Sequence, residues 1–130
     1  MDRKFGVATK AIIKKGKKFL VIFKSATEEI NPNEIDIPGG RLKFGETLES
    51  GLKREIEEEL NIVIKIKKLS RGWSMVNDDL HLVGLTFLAD YVSGEIKLSG
   101  EHTNFKWVSK EEILKSKYST WIKNEFKALP

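Results

Sequence analysis

Glu55, Glu58 and Glu59 stand at i, i+3 and i+4 in a segment where Leu48, Leu52, Ile56 and Leu60 recur every fourth residue. A helix from Thr47 to Leu60 would therefore gather three carboxylates on one arc beside an apolar stripe. Such carboxylates repel one another, more strongly when partly desolvated, and Glu59 falls at the edge of the stripe, where burial of the stripe limits its contact with water. Hard oxygen donors at this spacing suit a divalent cation that keeps positions for water and phosphate oxygens. Gly51 lies in the same arc, either leaving room beside the acids or packing closely against a strand. Immediately upstream, Gly39-Gly40-Arg41-Leu42-Lys43-Phe44-Gly45-Glu46 reads as a glycine-rich turn whose backbone can approach a ligand closely.

The whole run, Gly40–x5–Glu46–x7–Arg54-Glu55-Ile56-Glu57-Glu58-Glu59-Leu60-Asn61-Ile62, resembles the Nudix hydrolase signature, with Asn61 where the signature has its late glycine. Asparagine is the next residue best able to adopt a left-handed turn, so this departure touches the loop and none of the acids. The flanks agree, with Ile37-Pro38-Gly39-Gly40 before the box and Glu101-His102-Thr103-Asn104-Phe105-Lys106-Trp107-Val108-Ser109 after it.

The resemblance implies one Nudix domain over residues 1–130, an α+β fold of the α/β/α sandwich type with a mixed sheet between helices. It implies divalent-metal-dependent hydrolysis of a pyrophosphate bond in a nucleoside diphosphate linked to another group X, with nucleoside triphosphates slightly favoured. Mg²⁺ is the implied cofactor, with Mn²⁺ as a substitute. Carried over by position, Gly39 (through its carbonyl), Glu55, Glu58 and Glu59 would bind metal, and Glu55 would also orient the attacking water. Arg54 would serve catalysis by holding the glutamates through a forked pair. Gly40 and Glu46 would shape the motif, Glu46 near the helix N-terminus where its charge complements the dipole. A further acid from a loop outside the box is implied, with Glu101 the candidate and Glu95 or Asp90 the alternatives. Arg41 and Trp73 are the candidates for substrate contact, Trp73 by stacking a base. No proline of the kind that accompanies ADP-ribose hydrolysis in the family occurs around Met75-Val76-Asn77.

The elements that must position these residues are legible in outline. Gly6 to Ile13 and Phe19 to Phe23 are β-rich runs around Lys14-Lys15-Gly16-Lys17-Lys18, a hairpin with a solvated basic tip. A polar stretch from Ser25 to Glu34, a natural functional loop, leads to a short strand Ile35-Asp36-Ile37 that Pro38 ends. After the helix, Asn61 is placed as a left-handed cap. Strands are expected over Ile62 to Leu69, Trp73 to Val76, Leu80 to Val92, Ile96 to Leu98 and Phe105 to Val108, with Asn77-Asp78-Asp79 as a hairpin turn. Ser109-Lys110-Glu111-Glu112 is a capping box opening a helix, and Tyr118 to Leu129 a last one.

Composition narrows the classes. At 130 residues and 40% apolar content the chain can bury a core, and the absence of cysteine excludes a disulfide scaffold, a zinc-thiolate site and a cysteine nucleophile. No apolar run approaches the length of a membrane span, and the N-terminus lacks a signal-like stretch, so a cytoplasmic protein without a membrane partner is expected. The net charge of +4 is too small to name nucleic acid as the partner. A nucleotide or nucleotide derivative is the expected substrate, and a homodimer is common for the family. Two other readings on the same fold are a non-catalytic nucleotide sensor, for which degenerate glutamates would be expected, and an RNA-processing protein, suggested by a pI near 9.2 and the basic hairpin.

Overall fold

In the computed structural model, which describes residues 3–24, 34–100 and 102–130, the chain runs β1 (Lys4–Lys15), β2 (Lys18–Lys24), β3 (Ile35–Asp36), β4 (Gly39–Arg41), α1 (Leu48–Leu60), β5 (Val63–Asn77), β6 (Leu80–Ser93), β7 (His102–Val108), α2 (Lys110–Lys115) and α3 (Thr120–Lys127). One mixed sheet has the order β3-β2-β1-β6-β5, with β4 added to β1 and β7 to β2. Strands β1 and β6 are parallel along almost their full length, and the other pairings are antiparallel. The expected α/β/α sandwich is what forms.

Strand alternation divides the core in two. Ile13, Leu20 and Ile22 face Leu52, Ile56 and Leu60 of α1, whereas their neighbours Ile12, Phe19 and Val21 face Ile113, Ile122 and Phe126 of α2 and α3. This period-2 switch from one face to the other makes both helical layers necessary to cover the sheet. Full burial of Leu52, Ile56 and Leu60 contributes about 2 kcal/mol each, whereas Leu48, expected in the same stripe, is 37% exposed because the first turn of α1 lies beyond the sheet cluster.

Helix α1 begins at a reciprocal cap, in which Thr47 Oγ1 accepts from the Ser50 amide at 3.1 Å and Ser50 Oγ accepts from the Thr47 amide at 3.0 Å. It ends at Asn61, whose φ of 60° is left-handed and whose amide donates to the Glu57 carbonyl. The β5–β6 hairpin turns at Asp78, φ 54°.

Four local expectations need correction. The runs Ile62 to Leu69 and Trp73 to Val76 are one strand, because the polar Ser70-Arg71-Gly72 stretch is absorbed by register shifts against β6 rather than breaking the ladder. Ile96 to Leu98 is not a strand: the Lys97 and Ser99 amides donate to the Leu60 and Glu59 carbonyls at 3.0 Å each, satisfying the open end of α1. Gly39-Gly40-Arg41 is not only a turn, since it pairs with Ala8, Thr9 and Lys10 of β1. Gly51 leaves no room beside the acids; of the two expectations it is the close packing that holds, against the residue that follows β4. A Cβ there would lie 2.3 Å from the Leu42 side chain and 3.3 Å from the Glu46 carboxylate, so the preceding loop fills the space. Among the described residues, no helix is long and apolar enough to cross a membrane.

Candidate active site

Strands β1 and β2 are hydrogen-bonded beside their turn, at Lys14–Phe19 and Lys15–Lys18, whereas further along β1 pairs with β4 and β2 pairs with β3. A cleft of about 670 Å³ opens on this part of the sheet, within the size range of sites for nucleotide-sized ligands. Gly39, Gly40, Arg41 and Glu59 line one part of it, and Trp73 and Arg71 of β5 another. The structure thus brings the glycine turn, one acid of the helix and both candidate substrate-contact residues, Arg41 and Trp73, to a single cavity.

Glu59 is 5% exposed, as its place at the edge of the apolar stripe requires, and its Oε2 lies 3.8 Å from Nδ1 of His102. Glu55 and Glu58 lie outside the cleft lining. The Glu55 carboxylate packs directly on Gly40, where a Cβ would come within 2.5 Å of it. Gly40 is therefore a cradle for an acid, a role only a residue without a side chain can fill.

Arg54 organises the acids. Its Nε donates to Glu46 Oε2 at 2.6 Å and its Nη2 to Glu46 Oε1 at 2.9 Å, while Nη1 donates to Glu55 at 3.0 Å and to Glu58 at 3.2 Å. The remaining donor of Nη2 reaches the Arg41 carbonyl at 3.2 Å. Hydrogen bonding from Arg54, then from the Lys43 amide, holds the Glu46 carboxyl down at about 2. The same bond to Glu46, supported by Glu55, raises the Arg54 pKa above its usual value. The loop and the helix are thereby locked together through one guanidinium.

Lys10 and Asp36, both in the cleft lining, carried no functional signal in the sequence. Lys10 projects from β1 and donates to Asp36 Oδ1 and Oδ2 at 3.1 and 3.0 Å and to the Ile37 carbonyl at 3.1 Å. Burial works against its ammonium, but Asp36, then Glu59 and Glu55, outweigh that cost and raise its pKa. Because Lys10 is also in register with Gly39, and the Ala11 amide donates to the Pro38 carbonyl at 2.9 Å, β1 fixes the Ile37-Pro38-Gly39 turn from both backbone and side chain. A lysine in a strand next to apolar residues looks like an edge charge until the fold shows what faces it.

The chemistry of the donors, though not yet their grouping, is that of a divalent-cation site. Glu55, Glu58, Glu59 and the Gly39 carbonyl offer only hard oxygens, and Gly40 keeps the space beside Glu55 free of side chain. Among the described residues no three His, Asp or Glu side chains stand together so as to hold a metal ion, and Arg54 engages both Glu55 and Glu58. A cation on this face would compete with Nη1 for them, most easily for Glu58, which is 55% exposed. Glu101 and most of the Ser25 to Glu34 loop lie outside the described residues. Of the alternatives to Glu101, Asp90 sits 3.7 Å from Lys67 on the sheet, and the Glu95 carbonyl accepts from Asn61 Nδ2 at 3.3 Å.

The family described as NUDIX domain matches residues 4–129. An ADP-ribose pyrophosphatase of Methanocaldococcus jannaschii is 35% identical over 95 residues, 70% of this chain and 54% of that protein. The nucleoside triphosphatase NudI of Escherichia coli is 25% identical over 95 residues, 64% of this chain and 67% of that protein. The matched part of this chain thus spans little more than half the length of the first relative. A solved MutT protein from Methanosarcina mazei Go1 matches with a TM-score of 0.86 and 26% identity over 98% of this chain and 94% of that one. A MutT NUDIX hydrolase from Burkholderia pseudomallei shares the fold at a TM-score of 0.85 and 22% identity, over 98% of this chain and all of the other.

Proposed function

The chain belongs to the NUDIX family, and from that premise we propose that residues 1–130 act as one divalent-metal-dependent pyrophosphohydrolase domain on a nucleoside diphosphate linked to another group. The observation that carries this reading is the acid face of α1, gathered by Arg54 and entering through Glu59 a cleft of nucleotide size. Intact glutamates also weigh against a non-catalytic sensor. Relatives named for ADP-ribose and for nucleoside triphosphates support the substrate class. Mg²⁺ and a cytoplasmic site of action, where nucleotides are abundant, complete the proposal.

In this mechanism Glu58, Glu59 and the Gly39 carbonyl would hold the cation, with Glu55 as a further ligand or as the group that orients water. When bound, the metal neutralises the pyrophosphate and makes the attacked phosphorus more electrophilic. A Glu55 oxygen orients the water and takes its proton as the water oxygen bonds to phosphorus and the bridging P–O bond breaks. Arg54 keeps Glu55 directed at that position, Arg41 places positive charge at the cleft toward the substrate phosphates, and Lys10, paired with Asp36, holds the Ile37-Pro38-Gly39 turn in place.

The test is product analysis with nucleoside triphosphates, nucleotide sugars, ADP-ribose and dinucleoside polyphosphates, with Mg²⁺ and with chelator, for the wild type and Glu58→Gln. Metal-dependent turnover lost in the variant is expected. Tight nucleotide binding with no turnover on any substrate would overturn the reading in favour of a sensor.

A further inference from the structure

Away from the glutamates, the cleft contains a buried carboxylate that the hydrolytic chemistry does not use. Glu125 of α3 is 1% exposed, and both of its oxygens are engaged. Thr86 of β6 donates to Oε1 at 2.5 Å and Arg71 of β5 donates from Nη1 to Oε2 at 2.8 Å. The same Thr86 hydroxyl accepts from Trp73 Nε1 at 3.0 Å. The Trp73 ring lies flat on Gly84, where a Cβ would come within 2.1 Å of ring atoms. Three strand positions and one helix position are thus tied into a single network.

Its effect is to pre-orient two cleft-lining groups. Trp73 offers a fixed aromatic face, and Arg71, 38% exposed, offers the donors that Glu125 leaves over. A guanidinium has five N–H donors and no acceptor, so a fork remains after one bond to Glu125. Both Glu125 oxygens are already engaged by Thr86 and Arg71, and Trp121 Nε1, beside the same cleft, has no hydrogen-bond partner among the described residues, with the Asn124 amide beside it in the lining. This end of the cavity therefore offers the spare Arg71 donors and the Trp121 N–H beside the flat Trp73 ring. Its complement is a planar heterocycle with two adjacent acceptors.

Guanine (O6 and N7) and cytosine (O2 and N3) carry such an edge. Adenine does not, because each of its ring acceptors next to the exocyclic group neighbours an N–H donor. Resting on the pyrophosphohydrolase reading, we propose that Arg71, held by Glu125 and flanked by Trp73, selects substrates bearing guanine or cytosine over those bearing adenine. ADP-ribose is then a poor substrate for this chain.

The experiment compares kcat/KM for GTP, CTP, ATP and ADP-ribose in the wild type, Arg71→Gln, Arg71→Lys and Gly84→Ala. In parallel, metal-free binding of GMP, CMP and AMP is followed by intrinsic tryptophan fluorescence. The wild type should favour guanine or cytosine by about ten-fold or more, the range of a bidentate contact. Arg71→Gln should bring the base ratio close to one, and Arg71→Lys should restore little of it, since an ammonium cannot fork. Gly84→Ala, which displaces the Trp73 ring and its bond to Thr86, should raise KM for all bases and lower the ratio less than Arg71→Gln does. Equal use of adenine by the wild type, or an Arg71→Gln variant that weakens every substrate alike as a phosphate contact would, overturns the proposal. Absence of turnover on all substrates counts against the hydrolase reading instead. Base selection is then still decided by whether GMP and CMP bind more tightly than AMP and lose that margin in Arg71→Gln.

Discussion

Arg54 and Glu46 meet fork to fork, Nε against Oε2 at 2.6 Å and Nη2 against Oε1 at 2.9 Å. The pair joins the second turn of α1 to the loop that precedes it and leaves Nη1 directed at Glu55 and Glu58. Glu46 thus acts on the acid face through Arg54, without touching it.

Removing this organiser should separate positioning from binding. Arg54→Gln is expected to lower metal affinity or kcat/KM by about 10- to 100-fold, as loss of a ligand-orienting partner does. Titrating turnover with Mg²⁺, alongside calorimetric Mg²⁺ binding to the same variant, checks it. An unchanged metal midpoint and rate would remove Arg54 from the site.

Glu46 also predicts an acid dependence. Its folded pKa, about 2, lies below the ordinary glutamate value of about 4.5, so its ionised form stabilises the fold above that unfolded value. That contribution is lost as pH falls from about 4.5 towards about 2. Urea midpoints measured at about pH 5 and about pH 3 should fall less for Glu46→Gln than for the wild type. Equal slopes would show that the pair contributes nothing to stability.

The two glycines of the turn should behave differently. In Gly40→Ala the new Cβ meets the end of the Glu55 side chain, which can swing away. Stability should change by about 1 kcal/mol or less while turnover falls. In Gly39→Ala, at φ 150°, the Cβ meets the Thr9 carbonyl, which is backbone of the central strand, and the expected loss exceeds about 2 kcal/mol. Thermal melts and initial rates of both variants distinguish these outcomes.

Asn61 should tolerate glycine and resist alanine. Its φ of 60° costs a β-carbon-bearing residue without a local polar side chain about 1–2 kcal/mol, so Asn61→Ala is destabilised by that amount. Asn61→Gly should stay within a few tenths of a kcal/mol. Denaturant midpoints would show it, and a neutral Asn61→Ala would contradict the left-handed cap.

Sequence alone determined whatever repeats locally. The four-residue period sets α1 and buries Leu52, Ile56 and Leu60, while Leu48, expected in the same stripe, stays 37% exposed in the first turn. The period also brings Glu59 to the interior while Glu58 stays in solvent. Thr47 and Asn61 mark its ends because their side chains and backbone preferences act within one turn. The spacing of Gly40, Glu46 and Arg54 was visible for the same reason. Only the tertiary structure decided the partners of Lys10, Arg71 and Thr86, which lie 26, 54 and 39 residues away in the chain. Those contacts depend on strand register, on bulges that let β5 run unbroken past Gly72, and on α3 folding back over the sheet. Local propensity carries no record of which strand lies beside which. A strand lysine, a strand arginine and a helix glutamate therefore become a site only when the sheet aligns them.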